Sequence, residues 1–102
     1  MRYPGDKLFF IRLTRVLRRQ EAVVGRLQRL DGKGRRAIAR LVVELRGLQR
    51  SMWGSLATRP RRPLLTAARQ VDTLADQWSQ VAKELQIAPI STSGEAASPL
   101  DG

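Results

Sequence analysis

Arginine is the residue type in this sequence with the most evident chemistry, because its planar guanidinium group suits phosphate and carboxylate oxygens. Sixteen of the nineteen Lys and Arg residues are arginine. Residues 1–62 carry 17 cations against 4 acids, a balance of +13, whereas residues 63–102 carry 2 cations against 5 acids. A GC-rich genome would also favour arginine over lysine, so the uneven charge distribution is the stronger signal. It predicts one strongly basic surface that attracts a polyanion.

The spacing of three of these arginines links them to a helix. Arg12, Arg19 and Arg26 recur every seven residues and lie beside an apolar seam whose spacings alternate four and three, as in a heptad helix. The seam residues are Phe9, Leu13, Val16, Gln20, Val23, Leu27 and Leu30. Because the three arginines flank a seam that should be buried, we expect them to pair with acids of a later helix, namely Asp72, Asp76 or Glu84.

The arginines further from the seam are the better candidates for an outside partner. They predict binding to a polyanion, most simply nucleic-acid backbone, with little sequence preference and a strong dependence on salt. An acidic protein is the competing partner, and a merely solvated basic face is the plainest alternative. The predicted polyanion-binding residues are Arg15, Arg18, Arg29, Arg36, Arg40, Arg50, Arg59, Arg61 and Arg62.

A second candidate surface is apolar and lies at the end of the predicted bundle where the first helix begins, the second ends and the third begins. Leu8, Ile11 and Trp53 occupy outward heptad positions there, and exposed apolar patches often mark interfaces. The predicted protein-interface residues are Leu8, Ile11, Trp53, Leu56 and Leu65. This surface favours an adaptor or a self-assembling subunit, including a homo-oligomer. Alternatives are a local minicore under the neighbouring loops and, less favoured, contact with an anionic membrane surface.

Catalysis is disfavoured by the residue types that are missing. The chain has no histidine and no cysteine, which removes the commonest general base, thiolate nucleophiles and the commonest transition-metal ligands. The nine acids are dispersed along the chain. We therefore expect no enzymatic activity, no cofactor, no metal and no small-molecule substrate. The sequence also has no signal-peptide layout and no apolar run near the roughly 20 residues of a membrane span, so a cytoplasmic location is the default expectation.

The heptad pattern predicts an all-α fold with helices over about 6–31, 35–57 and 63–87. Short links between helices of similar length favour an up-down-up antiparallel three-helix bundle with heptad packing, forming a single domain over residues 1–87. The alternative is a helical hairpin that dimerises into a four-helix bundle. Gly32 is expected to end the first helix in the left-handed conformation, and the polar tail, 88–102, is expected to be disordered.

Overall fold

Three α-helices account for nearly all of the chain that the structure, a computed structural model, describes. Its backbone covers residues 4–89 and its side chains residues 6–89. The helices are α1 (Pro4–Gly25), α2 (Gly32–Thr58) and α3 (Arg62–Glu84), and no β-strand occurs between residues 4 and 89. The all-α prediction is confirmed for this part of the chain.

The core is formed by apolar seam residues of the three helices, with α2 packing against both α1 and α3. The predicted seam residue Leu27 is not part of it, because α1 ends at Gly25 and Leu27 is 39% exposed in the following turn. Burying the core side chains removes apolar surface from water, which is the main favourable contribution to folding. The heptad spacing predicts five seam positions in α2, and all five are buried together with Leu56; they are Ile38, Leu41, Leu45, Leu48 and Met52. The buried apolar side chains of α2 and α3 are Ile38, Ala39, Leu41, Leu45, Leu48, Met52, Leu56, Leu64, Ala67, Ala68, Val71, Ala75 and Trp78.

Helix α1 is less deeply buried than the other two helices. Its buried side chains are Leu13, Val16 and Val23. Phe10 and Val24 each follow a seam position by one residue, which predicts a wider buried face that reaches a second neighbour, but they are 39% and 51% exposed. The physical reason is that α1 packs mainly against α2 and contacts α3 only weakly.

The contacts between α2 and α3 show that the start of one helix lies near the end of the other. Near the start of α2, the Arg35 guanidinium donates to the carbonyl oxygen of Leu85 at 2.7 Å, just beyond the end of α3. Near the end of α2, the indole N–H of Trp53 donates to Asp72 at 2.8 Å. Residues early in α2 therefore lie beside the end of α3, and residues late in α2 lie beside the first half of α3.

The link between α1 and α2 differs from the sequence expectation. Helix α1 ends at Gly25 rather than near residue 31, and α2 begins at Gly32 rather than 35. The reason is that Asp31 is the N-cap of α2, because its side chain accepts a hydrogen bond from the Gly34 N–H at 2.8 Å. Gly32 is inside α2, and no described glycine has a positive φ, so its expected role as a left-handed C-cap was wrong.

The end of α3 is fixed by backbone hydrogen bonds. The Ile87 N–H donates to Ala82 at 2.8 Å and the Gln86 N–H to Lys83 at 3.1 Å, with Gln86 in the left-handed region at φ 56°. This pairing stops the helix at Glu84, short of the predicted residue 87. Most of the predicted disordered tail, 90–102, lies outside the described residues, and the single domain over 1–87 stays a prediction.

Gln20, the one polar residue in the predicted seam of α1, has a structural partner in α3. Its side-chain oxygen accepts a hydrogen bond from the indole N–H of Trp78 at 2.8 Å, and Trp78 is 7% exposed. We predict that Gln20→Leu lowers the free energy of unfolding by about 1 to 2 kcal/mol, because the buried indole donor loses its acceptor. Urea denaturation followed by circular dichroism measures the change.

The control for this prediction is the same substitution in a Trp78→Phe background, where no indole donor is present. There Gln20→Leu should cost little, because an apolar pair replaces a hydrogen-bonded one. If Gln20→Leu instead stabilises the protein with Trp78 in place, the hydrogen bond does not contribute to stability.

Candidate functional site

A groove of about 430 Å³ lies between α1 and α2, and its lining is strongly basic. We call it the basic groove. It is lined by the cations Arg19, Arg26, Lys33, Arg36 and Arg40 and by the apolar residues Ala22, Val23 and Ala37. None of these described lining residues is acidic. The groove therefore concentrates positive charge on a concave surface formed by two segments of the chain.

Helical periodicity explains why these residues meet. Positions 19, 22, 23 and 26 follow the three- and four-residue spacing that places side chains on one face of a helix. Positions 33, 36, 37 and 40 follow the same spacing on α2. Gly25 ends α1 just before Arg26, so that arginine extends the basic face into the following turn.

A second groove of about 380 Å³ adjoins the basic groove along the same pair of helices. We call it the adjoining groove. Arg19 lines both grooves and forms an ion pair with Glu44 of α2. The residues lining the adjoining groove are Arg12, Arg15, Val16, Arg19, Val43, Glu44, Gly47 and Leu48. A single carboxylate, that of Glu44, is thus present among the described residues that line the two grooves.

The acids of α3 lie elsewhere and have other partners. Asp72 accepts hydrogen bonds from the side chains of Gln49 and Trp53, at 2.7 and 2.8 Å, and Asp76 pairs with Arg46 at 3.4 Å. The expectation that the arginines flanking the α1 seam pair with α3 acids was therefore wrong for Arg19. Asp72 and Asp76 contact the opposite edge of α2 from the grooves, so these two acids do not compensate the positive charge of the grooves.

The predicted polyanion-binding residues fall into three groups. Arg36 and Arg40 line the basic groove, and Arg15 lines the adjoining groove. A second group, exposed but absent from both linings, consists of Arg18, Arg29, Arg50, Arg59 and Arg62. Arg61 forms the third group by itself. Four cations that line the grooves were absent from the prediction. Arg12, Arg19 and Arg26 had been assigned to internal ion pairs, and Lys33 had been interpreted as a turn residue.

Arg61 is committed to an internal ion pair. Its guanidinium donates two hydrogen bonds to the Asp6 carboxylate, each 2.8 Å long, and a third to the Ser55 hydroxyl at 2.8 Å. The Arg61 side chain is 14% exposed and that of Asp6 25%. We therefore remove Arg61 from the candidate polyanion contacts, because it ties the first turn of α1 to the link between α2 and α3.

The five predicted interface residues do not form one exposed patch. Leu8 and Ile11 on α1 are 59% and 40% exposed, as expected for an open surface. Trp53 is 37% exposed, but its indole N–H is bonded to Asp72 on α3. Leu56 is buried and Leu65 is half-buried against the core, because both face the seam between helices. The exposed apolar surface therefore belongs mainly to α1.

The carboxylate of Asp31 lies in sequence between two cations of the basic groove, Arg26 and Lys33. The Gly34 N–H donates to it and lowers its pKa below the ordinary 3.8, and the two nearby cations act in the same direction. A lowered pKa means that this cap contributes stability above the ordinary pKa, and that the contribution is lost as pH falls through the folded-state pKa. Asp31 therefore stays ionised at neutral pH and holds the first turn of α2.

The described chain offers few other features that indicate a function. Between residues 4 and 89, no group of three or more His, Cys, Asp or Glu residues could hold a metal ion. None of the three helices there combines the length and hydropathy needed to cross a membrane. No protein-family model, curated protein or solved structure matches the sequence. The function must therefore be inferred from the surface itself.

The internal role of Arg61 predicts a stability effect that its exposed neighbour Arg62 should not share. We expect Arg61→Gln to lower the free energy of unfolding by about 1 to 2 kcal/mol, because it removes charge-assisted hydrogen bonds to a partly buried carboxylate. Arg62→Gln removes the same charge and should stay within about 0.5 kcal/mol of the parent protein. Urea denaturation of both variants tests this, and equal effects would contradict the assignment.

Proposed function

We propose that this protein binds a polyanion, the sugar–phosphate backbone of nucleic acid, through the basic groove and without strong sequence preference. One observation carries the proposal: five cations from α1, the turn that follows it and α2 line one groove, and none of the described residues lining it is acidic. Positive charge on a concave surface raises the local concentration of anions, and guanidinium groups bind phosphate oxygens well. On this proposal the protein is a non-enzymatic binding protein, and its predicted location is the cytoplasm.

The composition of the groove supports backbone recognition over base recognition. Sequence is read by hydrogen bonds and apolar contacts to base edges, whereas contacts to phosphate carry no direct sequence information. Apart from its cations, the described lining consists of Ala22, Val23 and Ala37, which offer no side-chain acceptor or amide to a base. Binding of this kind should weaken steeply as salt is added, because it depends on counterion release.

The finer architecture is part of the same proposal. We place α1, α2 and α3 in an up-down-up antiparallel three-helix bundle with heptad packing, closed within one chain. Support comes from the order of the contacts between α2 and α3, which pair Arg35 with Leu85 and Trp53 with Asp72. A hairpin that required a second chain would not need α3 to contribute buried residues such as Val71 and Ala75.

Self-assembly is a second candidate function, favoured by the apolar side chains that α1 leaves exposed. Leu8, Phe10, Ile11 and Val24 are each at least 39% exposed. If this surface joins two copies, light scattering should show a mass that rises with protein concentration, and Ile11→Gln should suppress the rise without unfolding the protein. A mass equal to one chain at all concentrations would exclude self-assembly.

The proposed site can be tested by removing equal charge inside and outside the groove. We predict that Arg36→Gln/Arg40→Gln weakens binding of a labelled oligonucleotide about tenfold or more at roughly 50 mM salt, and reduces the salt slope by about 1.4 to 1.8. The matched control is Arg50→Gln/Arg62→Gln, which removes two exposed arginines that do not line either groove. Fluorescence anisotropy measures affinity, and circular dichroism verifies the fold.

In the same experiment, Glu44→Gln is expected to change the affinity in the opposite direction from the arginine substitutions. Glu44 is the acid paired with Arg19 where the two grooves meet. Removing its charge should tighten binding, because it frees Arg19 and removes a repulsive carboxylate. Asp76→Asn, on the α3 side of α2, should change affinity less. Equal losses in the two arginine pairs, with no gain in Glu44→Gln, would show that anions bind elsewhere.

A further inference from the structure

The shape of the basic groove points to one physical form of nucleic acid. We propose that it accommodates a single strand and does not admit a duplex. This inference rests on the proposed function and adds a specificity to it. It starts from the position of the cations, which line a concavity between two packed helical segments.

The dimensions of packed helices argue against insertion into a duplex. An α-helix with its side chains is about 10 to 12 Å across, and packed axes lie about 8 to 10 Å apart, so α1 and α2 together span roughly 20 Å. The major groove of B-form DNA is about 12 Å wide and admits one helix. The cations between α1 and α2 therefore cannot enter the major groove together, and a rigid duplex can offer them only the phosphates along its outer edge.

A single strand can enter because it is narrow and flexible. The lining extends over residues 19–26 and 33–40, which corresponds to about 10 Å along each helical segment at 1.5 Å per residue. Cations from α1 and its following turn would contact the phosphates from one side, and those of α2 from the other. The small side chains of Ala22 and Ala37 leave room for the sugars between these two rows.

The lining also predicts how the strand is held. Single-strand binding proteins commonly add base stacking on aromatic side chains to a charged groove. None of the described residues lining the basic groove is aromatic. Affinity should therefore come from phosphate contacts, with similar values for strands of different base composition.

A duplex would use a different set of residues. Arg18, Arg50 and Arg62 are exposed and line neither groove, so they can reach the phosphates of a broad, convex partner. If affinity depended on charge density alone, the duplex would bind more tightly, because two strands carry more charge per unit length than one. A preference for the single strand would therefore have to arise from the shape of the basic groove, because net charge alone favours the duplex.

The experiment compares a labelled, non-self-complementary DNA strand of roughly 20 nucleotides with the duplex formed with its complement, a length above the usual single-domain site sizes. Fluorescence anisotropy at about 50 mM salt should show binding to the single strand at least tenfold tighter than to the duplex. Arg36→Gln/Arg40→Gln should weaken single-strand binding more than duplex binding. Arg50→Gln/Arg62→Gln should do the reverse. Oligo-dT and a mixed-sequence strand should bind within a few-fold of each other.

The other outcomes separate this inference from the proposed function. Equal or tighter binding of the duplex would overturn single-strand selectivity while leaving polyanion binding in place. A single-strand preference that survives loss of Arg36 and Arg40 would overturn the assignment to the basic groove. No binding of either form at low salt would overturn both the inference and the proposed function.

Discussion

Repulsion between like charges is the constraint on which the arrangement of α1 and α2 depends. Residues 1–62, which include both helices, carry a balance of +13, and the helices pack side by side. The opposing contribution is burial of apolar side chains, with Leu13 and Val16 of α1 in the same core as Leu45 and Leu48 of α2. Each fully buried side chain of this size contributes about 1.5 to 3 kcal/mol, enough to exceed the screened repulsion between exposed charges.

The cations on the two edges of α2 have different numbers of acidic partners. This difference leaves the basic groove positively charged. On the α3 edge, Arg46 pairs with Asp76 and also donates to Ser79 at 3.0 Å. On the α1 edge, Glu44 compensates Arg19, while Arg36 and Arg40 line a groove with no acid among its described lining residues. The α3 acids Asp72 and Asp76 thus pair with side chains on the edge of α2 that faces α3. The basic groove is positive because it lies on the other side of the helix.

Periodicity within one helix was enough to predict the helices and most of the core. Periodicity was insufficient for features that depend on contacts between two separate segments of the chain. Asp31 was interpreted as part of the end of α1, because the sequence does not indicate which helix a turn aspartate caps, whereas its bond to Gly34 assigns it to α2. Arg61 was predicted to be a surface contact, but its partner Asp6 is 55 residues away. The basic groove required the relative rotation of α1 and α2, which no sequence window contains.

The weak burial of α1 links the fold to the proposed binding. Buried side chains of α1 are Leu13, Val16 and Val23, so this helix is held to α2 by fewer buried contacts than α3 is. An anion in the basic groove would contact cations on both α1 and α2 and would offset the repulsion between them. A ligand that binds the packed arrangement more tightly than the unpacked one stabilises it by mass action. On the proposed function, polyanion binding and the packing of α1 would therefore be coupled, and each would strengthen the other to the same extent.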